Sequence, residues 1–257
     1  LIRFDVAEEI LATIRQAAPK SSVFFHAPDV YFLRESREAE LLHDEQRLKQ
    51  AMETKERELD IMRRVDLTVV ISENERKLLR EYLPDAPMGV FPGLYAPIVE
   101  EPAPFATRKD IFFLGGFAHR PNVDAALWFS QEIWPLVRAR LPEASFHIIC
   151  SEAPGKIKAL GSIPGVVVDG FVKDLDPLLS SIRLGVAPLR FGAGIKGKVA
   201  MTFGAGVPCI CTEIAAEGMG LKNGVHTFIA NEPQVFAEAV VKAYTDETVW
   251  ARMSVES

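Results

Sequence analysis

The sequence is poor in cysteine, has no long apolar run and carries no excess of positive charge, and each shortage closes off a class of protein. Cys150, Cys209 and Cys211 are its three cysteines. They are an odd number, set in apolar runs (FHIIC and PCIC), which points to buried thiols in a reducing compartment and not to a disulfide framework. A metal site built on the Cys209-x-Cys211 pair is not expected. No stretch approaches the ~18 apolar residues of a membrane-spanning helix, and membrane contact is not evident. The opening residues carry acids in an amphipathic pattern, unlike the apolar centre of a signal peptide, so a cytoplasmic location is expected. With 29 Lys+Arg against 35 Asp+Glu and a net charge of -6, nucleic acid is not expected as a partner, because phosphate binding is driven by clustered Lys and Arg. Any anion site must be local.

What is present describes an ordinary globular chain: 257 residues, 48% hydrophobic and 25% charged. That length accommodates one large domain or two small ones and can bury a core without staples. The chain opens at Leu1 inside what reads as a helix over residues 4–18, so a piece of a longer protein is expected.

Short β-branched runs alternate with helical patterns along nearly the whole length, the signature of a parallel sheet covered by helices. The class is α/β. The first part predicts strands at 23–25, 66–71 and 88–91 and a helix at 73–83 opened by a Ser72/Glu75 capping box. Residues 34–64 hold 17 charged residues, nine acidic and eight basic, with Leu41, Leu42, Leu48, Met52, Leu59 and Met62 spaced as one stripe. That pattern predicts a long solvated helix lying on a sheet through a narrow apolar face; a coiled-coil partner surface is the other reading. Residues 92–104 contain four prolines and no periodicity, which predicts a linker. Beyond it, six strands are expected at 111–114, 146–150, 166–169, 184–189, 207–212 and 227–230, forming one doubly wound sheet. Ligands of such sheets bind where the carboxyl ends of the strands lead into helices.

The richest of those loops is Arg190-Phe-Gly-Ala-Gly-Ile-Lys-Gly-Lys198. Its glycines let backbone approach a ligand, and the N–H groups of the following helix favour negative charge. No acidic residue occurs between Asp176 and Glu213, so Arg190, Lys196 and Lys198 are expected to be uncompensated and to suit a diphosphate. A Gly-rich turn with solvated lysines fits the same residues. Gly192, Gly197 and Lys198 also fall in register with a Walker A loop. Val199, however, stands where that loop needs a metal-binding hydroxyl, so an ATPase is not expected. Trp128, Phe129 and Trp134 have the spacing of core residues.

The stretches GGFAHRPNVDAALWFSQEIWPLVRARLPEASFHII (115–149) and VVVDGFVKDLDPLLSSIRLGVAPLRFGAGIKGKVAMTFGAGVPCICTEIAAEGMGL (166–221) resemble the donor-binding domain of group 1 glycosyltransferases with the GT-B fold. YFLRESREAEL and RRVDLTVVISENERKLL resemble the second half of that family's N-terminal domain. The resemblance implies an incomplete acceptor-side α/β domain at 1–97, a linker at 98–109 and a nucleotide-sugar-binding domain at 110–257 whose closing helix is absent or cut short. It implies transfer of a sugar from a nucleotide-diphosphate-sugar donor to a saccharide, lipid or other acceptor, with retention of configuration and without an obligatory metal or further cofactor.

By position, the resemblance sets Gly115 and Gly116 against the diphosphate, with Arg190, Lys196 and Lys198 meeting its charge. It places Phe171 and Val172 at the base and Gly192, Ala193 and Gly194 at the donor sugar. Met201 stands where the family has the glutamate that holds the ribose, and Ala193 where it has that residue's paired glutamate. His26, just past an apolar run, corresponds to a family position that contacts the donor sugar or steers the acceptor; a structural turn is the other reading. His119 and Arg120 are either surface residues or phosphate contacts. Glu217-Gly218 is family-like without an assigned role. Two alternatives accompany the transferase reading: a degenerate nucleotide-sugar-binding or interaction subunit, and a nucleotide-sugar epimerase, which would need further acid/base groups.

Overall fold

The computed structural model describes residues 4–93 and 103–256. The chain folds as two compact units: the first comprises the described part of Leu1–Leu94 with Phe191–Ile195 and Glu217–Met219, the second the rest. Most of the proline-rich segment expected as a linker lies outside the described residues.

The first unit runs α1 (Phe4–Ala17), β1 (Phe24–Ala27), α2 (Tyr31–Leu42), α3 (Glu45–Arg64), β2 (Leu67–Val70), α4 (Glu73–Tyr82) and β3 (Met88–Val90). Its strands form a parallel sheet in the order β1-β2-β3. Phe25, Val70, Leu59, Met62, Leu11 and Leu79 are the centre of its core. Helix α4 opens as expected, with the Ser72 hydroxyl accepting from the Glu75 N–H at 3.2 Å.

The single long helix expected at 34–64 is two helices. His43 takes a left-handed conformation (φ 51), and Asp44 then caps α3 by accepting from the Arg47 N–H at 3.0 Å. A left-handed residue closes one helix, and an aspartate directly after it opens the next. The apolar stripe is accordingly interrupted: Leu59 and Met62 are buried while Leu42 and Met52 are exposed.

Glu58 on α3 is fully buried and accepts from the Tyr31 and Phe32 N–H groups at 3.2 and 3.1 Å, at the start of α2. Burial pushes its pKa up from 4.5 to about 7, against the pull of those two bonds. Between these values the folded state holds a proton that the unfolded chain has lost, so this group's contribution is full below pH 4.5 and declines as pH rises to 7. Urea titrations should therefore show stability falling by about 3 kcal/mol across that interval, and Glu58→Gln should flatten the decline; an unchanged slope in the variant would remove Glu58 as its source.

The second unit runs β4 (Lys109–Leu114), α5 (Arg120–Trp128), a π turn (Phe129–Ile133), α6 (Trp134–Arg140), β5 (Phe146–Ile149), α7 (Gly155–Lys158), β6 (Val166–Gly170), α8 (Asp176–Ser181), β7 (Ile182–Ala187), α9 (Gly197–Gly204), β8 (Cys209–Cys211), α10 (Glu213–Ala216), α11 (Pro233–Thr245) and α12 (Glu247–Glu256). All five strands are parallel, in the order β6-β5-β4-β7-β8. The sixth strand expected at 227–230 is reduced to one bridge, Cys211 to Ile229. There the Cys211 N–H donates to the Phe228 carbonyl and the Ala230 N–H to the Cys211 carbonyl, both at 3.0 Å, and the Thr227 hydroxyl adds a bond to the Cys209 carbonyl.

Trp128, Phe129 and Trp134 are buried as expected, in a cluster with Phe146 and Phe236. The three cysteines are buried free thiols. Arg108, fully buried, donates to the carbonyls of Ala103, Leu179 and Ile182. No helix among the described residues is long and apolar enough to cross a membrane.

Candidate functional site

The chain builds β4, β5 and β6 outward in one direction and then returns to place β7 on the other side of β4. The strand order reverses between β4 and β7. Loops leaving the carboxyl ends of two such strands diverge and open a crevice. Here they are the loop from Gly115 after β4 and the Gly-rich segment after β7.

Within the second unit, Asn122 joins these two loops. Its side-chain Nδ2 donates to the Gly116 carbonyl at 2.8 Å, and its Oδ1 accepts from the Lys198 ammonium. A Cβ at Gly115 would lie 3.0 Å from Asn122 Cβ, a tight contact, so glycine lets the loop pack close against Asn122. Lys198, in the first turn of α9, has its Nζ 4.5 Å from the centre of the Phe113 ring. Burial pushes the Lys198 pKa down from 10.5 to about 7, with the nearby Lys196 charge adding to that and the Cys209 sulfur opposing it. A lysine stripped of water in this way is an uncompensated cation that gains when an anion arrives.

Arg190 is different. Its guanidinium makes a bidentate pair with Asp124, two residues after Asn122 on the same helix, and lies over the Trp128 ring. Hydrogen bonding to that carboxylate holds its pKa above the usual range. The expectation of uncompensated charge throughout the Gly-rich segment is thus corrected at Arg190. The absence of acids in the local sequence concealed a partner 66 residues away. Lys196 caps α9 and is largely buried.

Gly115, Gly116, Phe171 and Val172 come together around a cavity of about 220 Å³ beyond β4, β5 and β6, with Leu114, Ile149, Cys150, Ser151 and Leu175 completing its wall. Phe171 stands on its rim, 70% exposed. Met201 is half-buried on α9. His119 and Arg120 are exposed at the start of α5. Among the described residues no group of three or more His, Cys, Asp or Glu side chains is arranged to hold a metal ion.

The tip of the Gly-rich loop belongs to the first unit. Arg37 on α2 donates to the Gly192 carbonyl at 2.7 Å and to both carboxylate oxygens of Glu217 at 2.7 and 2.8 Å. The Gly194 N–H donates to Glu75 at 3.0 Å, and Ala193 packs against the core. His26 lies inside β1, opposite Val69, and not past its end; its Nε2 is buried without a hydrogen-bond partner. Reasoning from the sequence missed Asn122, Asp124, Arg37 and the loop-holding role of Glu75. The capping box did mark Glu75, but it carried no hint of the second oxygen's use.

The chain matches the family described as glycosyl transferases group 1 over residues 108–246. It is 24% identical over 140 residues to an uncharacterised 44.6 kDa protein of the cps region of Klebsiella pneumoniae, an overlap of 51% of this chain and 36% of that one. Among solved structures it is similar to sucrose-phosphate synthase from Thermosynechococcus elongatus (TM-score 0.74, 12% identity, 99% of this chain and 66% of that one). It is also similar to Anabaena HepE, solved with UDP and glucose (TM-score 0.69, 13% identity, 98% and 69%), and to Staphylococcus aureus TarM, solved with UDP among other ligands (0.66, 12%, 79% and 41%). These similarities share the α/β architecture of two parallel sheets. The chain spans about a third of the length of the curated relative and two fifths of TarM.

Proposed function

The chain belongs to the group 1 glycosyl transferases, and from that premise we propose that it binds a nucleotide-diphosphate sugar in its second unit and transfers the sugar to an acceptor with retention of configuration and without a metal. The observation that carries this reading is the Lys198–Asn122–Gly116 connection at the point where the strand order reverses. Breaking the sugar–phosphate bond leaves negative charge on the diphosphate. A desolvated ammonium and backbone N–H groups fixed beforehand stabilise such charge without reorganising. The α9 N-terminus, immediately before Lys198, adds its partial positive charge. The apolar cavity beside Phe171 is of a size for one flat heterocycle and serves as the base pocket.

Arg120 and His119 would stand at the outer edge of the diphosphate. Arg190, paired to Asp124, contributes by holding the loop more than by meeting charge. UDP is the diphosphate found in the related HepE and TarM structures, which makes it the first ligand to try here. A thermal-shift series with UDP, GDP and ADP tests the assignment: at least one should stabilise the protein, and a flat response to all three would end it.

A second reading, a degenerate binding subunit, is favoured by Met201 in place of a carboxylate. A thioether accepts hydrogen bonds weakly, whereas a carboxylate on the ribose contributes ~1.5 kcal/mol or more. Met201→Glu is therefore expected to tighten UDP by roughly tenfold, measured by calorimetry. Equal affinity in the two proteins would tell against the ribose position.

A further inference from the structure

We propose that Asn122 is a positioning residue: its neutral amide aims the Lys198 ammonium at the Gly115–Gly116 loop and so sets where a diphosphate is held. The inference rests on the donor-site reading above and adds a residue to it. Asn122 is nearly inaccessible, 6% exposed, and every polar part of it is engaged. Its backbone N–H donates to His119 at 3.0 Å, Nδ2 donates to the Gly116 carbonyl at 2.8 Å, and Oδ1 accepts from Lys198.

A side-chain amide donates to a carbonyl through its NH2 and accepts from an ammonium through its oxygen, two separate atoms held at a fixed spacing. The choice of an amide also decides the charge. Two residues on, Asp124 holds Arg190 with a carboxylate and cancels its charge; Asn122 holds Lys198 and leaves its charge intact. One helix thus immobilises two basic residues of the Gly-rich segment and reserves one of them for an anion. The groups facing Lys198 from the surrounding elements do not substitute for this. Phe113 on β4 offers a ring face, Cys209 on β8 a thiol whose pKa burial raises, and Lys196 before α9 a like charge.

The test uses the full chain and pairs each diphosphate with its nucleoside: UDP with uridine, GDP with guanosine, ADP with adenosine, titrated calorimetrically between pH 6 and 8.5 in the starting protein, Asn122→Leu, Asn122→Asp and Lys198→Ala. Asn122→Leu is expected to weaken the bound diphosphate five- to tenfold and the nucleoside less than twofold. It should also move the fall-off of diphosphate affinity to lower pH, because the ammonium loses an acceptor that favours its charged form. Asn122→Asp, nearly isosteric and so informative even if the leucine variant fails to fold, should weaken the diphosphate while moving the fall-off to higher pH. Unchanged affinity and unchanged pH midpoints in both variants would overturn the proposal, as would equal losses of diphosphate and nucleoside, the mark of a merely structural residue. If Lys198→Ala still weakens the diphosphate in those cases, the donor-site reading stands without Asn122. If no diphosphate binds the starting protein, both fall together.

Discussion

Replacing Lys198 with methionine is expected to make the protein more stable and a much weaker binder of a nucleoside diphosphate. The two effects have one cause. The ammonium is held in a place where water cannot solvate it, so the folded protein carries an unfavourable charge until an anion meets it. With the folded pKa near 7 and the ordinary value at 10.5, the unfolded chain binds the proton more tightly, and the penalty is full below pH 7. It declines as pH rises from 7 and is gone above 10.5. Methionine fills the same volume without charge. Set against the lost bond to Asn122, the net gain should be roughly 3 kcal/mol at pH 6 to 7 and should vanish towards pH 10.5. Diphosphate affinity should fall about a hundredfold, the value of a desolvated charge-assisted contact of ~3 kcal/mol. Thermal melts with and without UDP across that pH range check both halves. A variant that is no more stable at pH 6, or that keeps its UDP response, would show that Lys198 is solvated or lies away from the ligand.

Gly194→Ala should cost the protein ~2–3 kcal/mol, read from urea unfolding. Gly194 has φ +71, and a Cβ there would sit 2.4 Å from the Pro28 carbonyl oxygen, which is backbone and cannot rotate aside. The left-handed conformation alone disfavours alanine by about 1 kcal/mol. Relieving the overlap requires the loop to lift, which pulls the Gly194 N–H from Glu75 and loosens Ala193 from the core. Gly116→Ala provides the contrast. Nothing lies within 4 Å of its Cβ position, so stability should change by less than ~0.5 kcal/mol. Similar losses in both variants would mean that the clash at Pro28 is not what sets the cost.

Much of the architecture could be read from local pattern. Runs such as 111–114 and 146–150 are largely apolar and rich in β-branched or aromatic residues, and they became β4 and β5 within a residue or two because buried parallel strands have that composition. The Ser72 cap was legible because capping is a contact across three residues. The misses were of another kind. The break at His43 depends on a left-handed residue that is not glycine, which the helical charge pattern masked. The sixth strand shrank to one bridge, with Phe228 and Ala230 bonding Cys211 through backbone groups, and how far a segment runs beside a sheet edge is a tertiary quantity that periodicity does not register.

By itself, then, the sequence determined the α/β class, the parallel strands, the loops that could face a ligand and, through resemblance, the family to which residues 108–246 belong. These follow from short-range rules of periodicity, capping and turn chemistry. Only the tertiary structure decided which basic residue keeps its charge. Arg190 and Lys198 are equivalent in sequence, but α5 brings Asp124 to one and Asn122 to the other. It likewise decided that the Gly-rich tip is held by Arg37 and Glu75, the Arg37–Glu217 pair joining residues 180 positions apart. A charge's partner is set by distance in space and by exclusion of water, and neither quantity is a function of position along the chain.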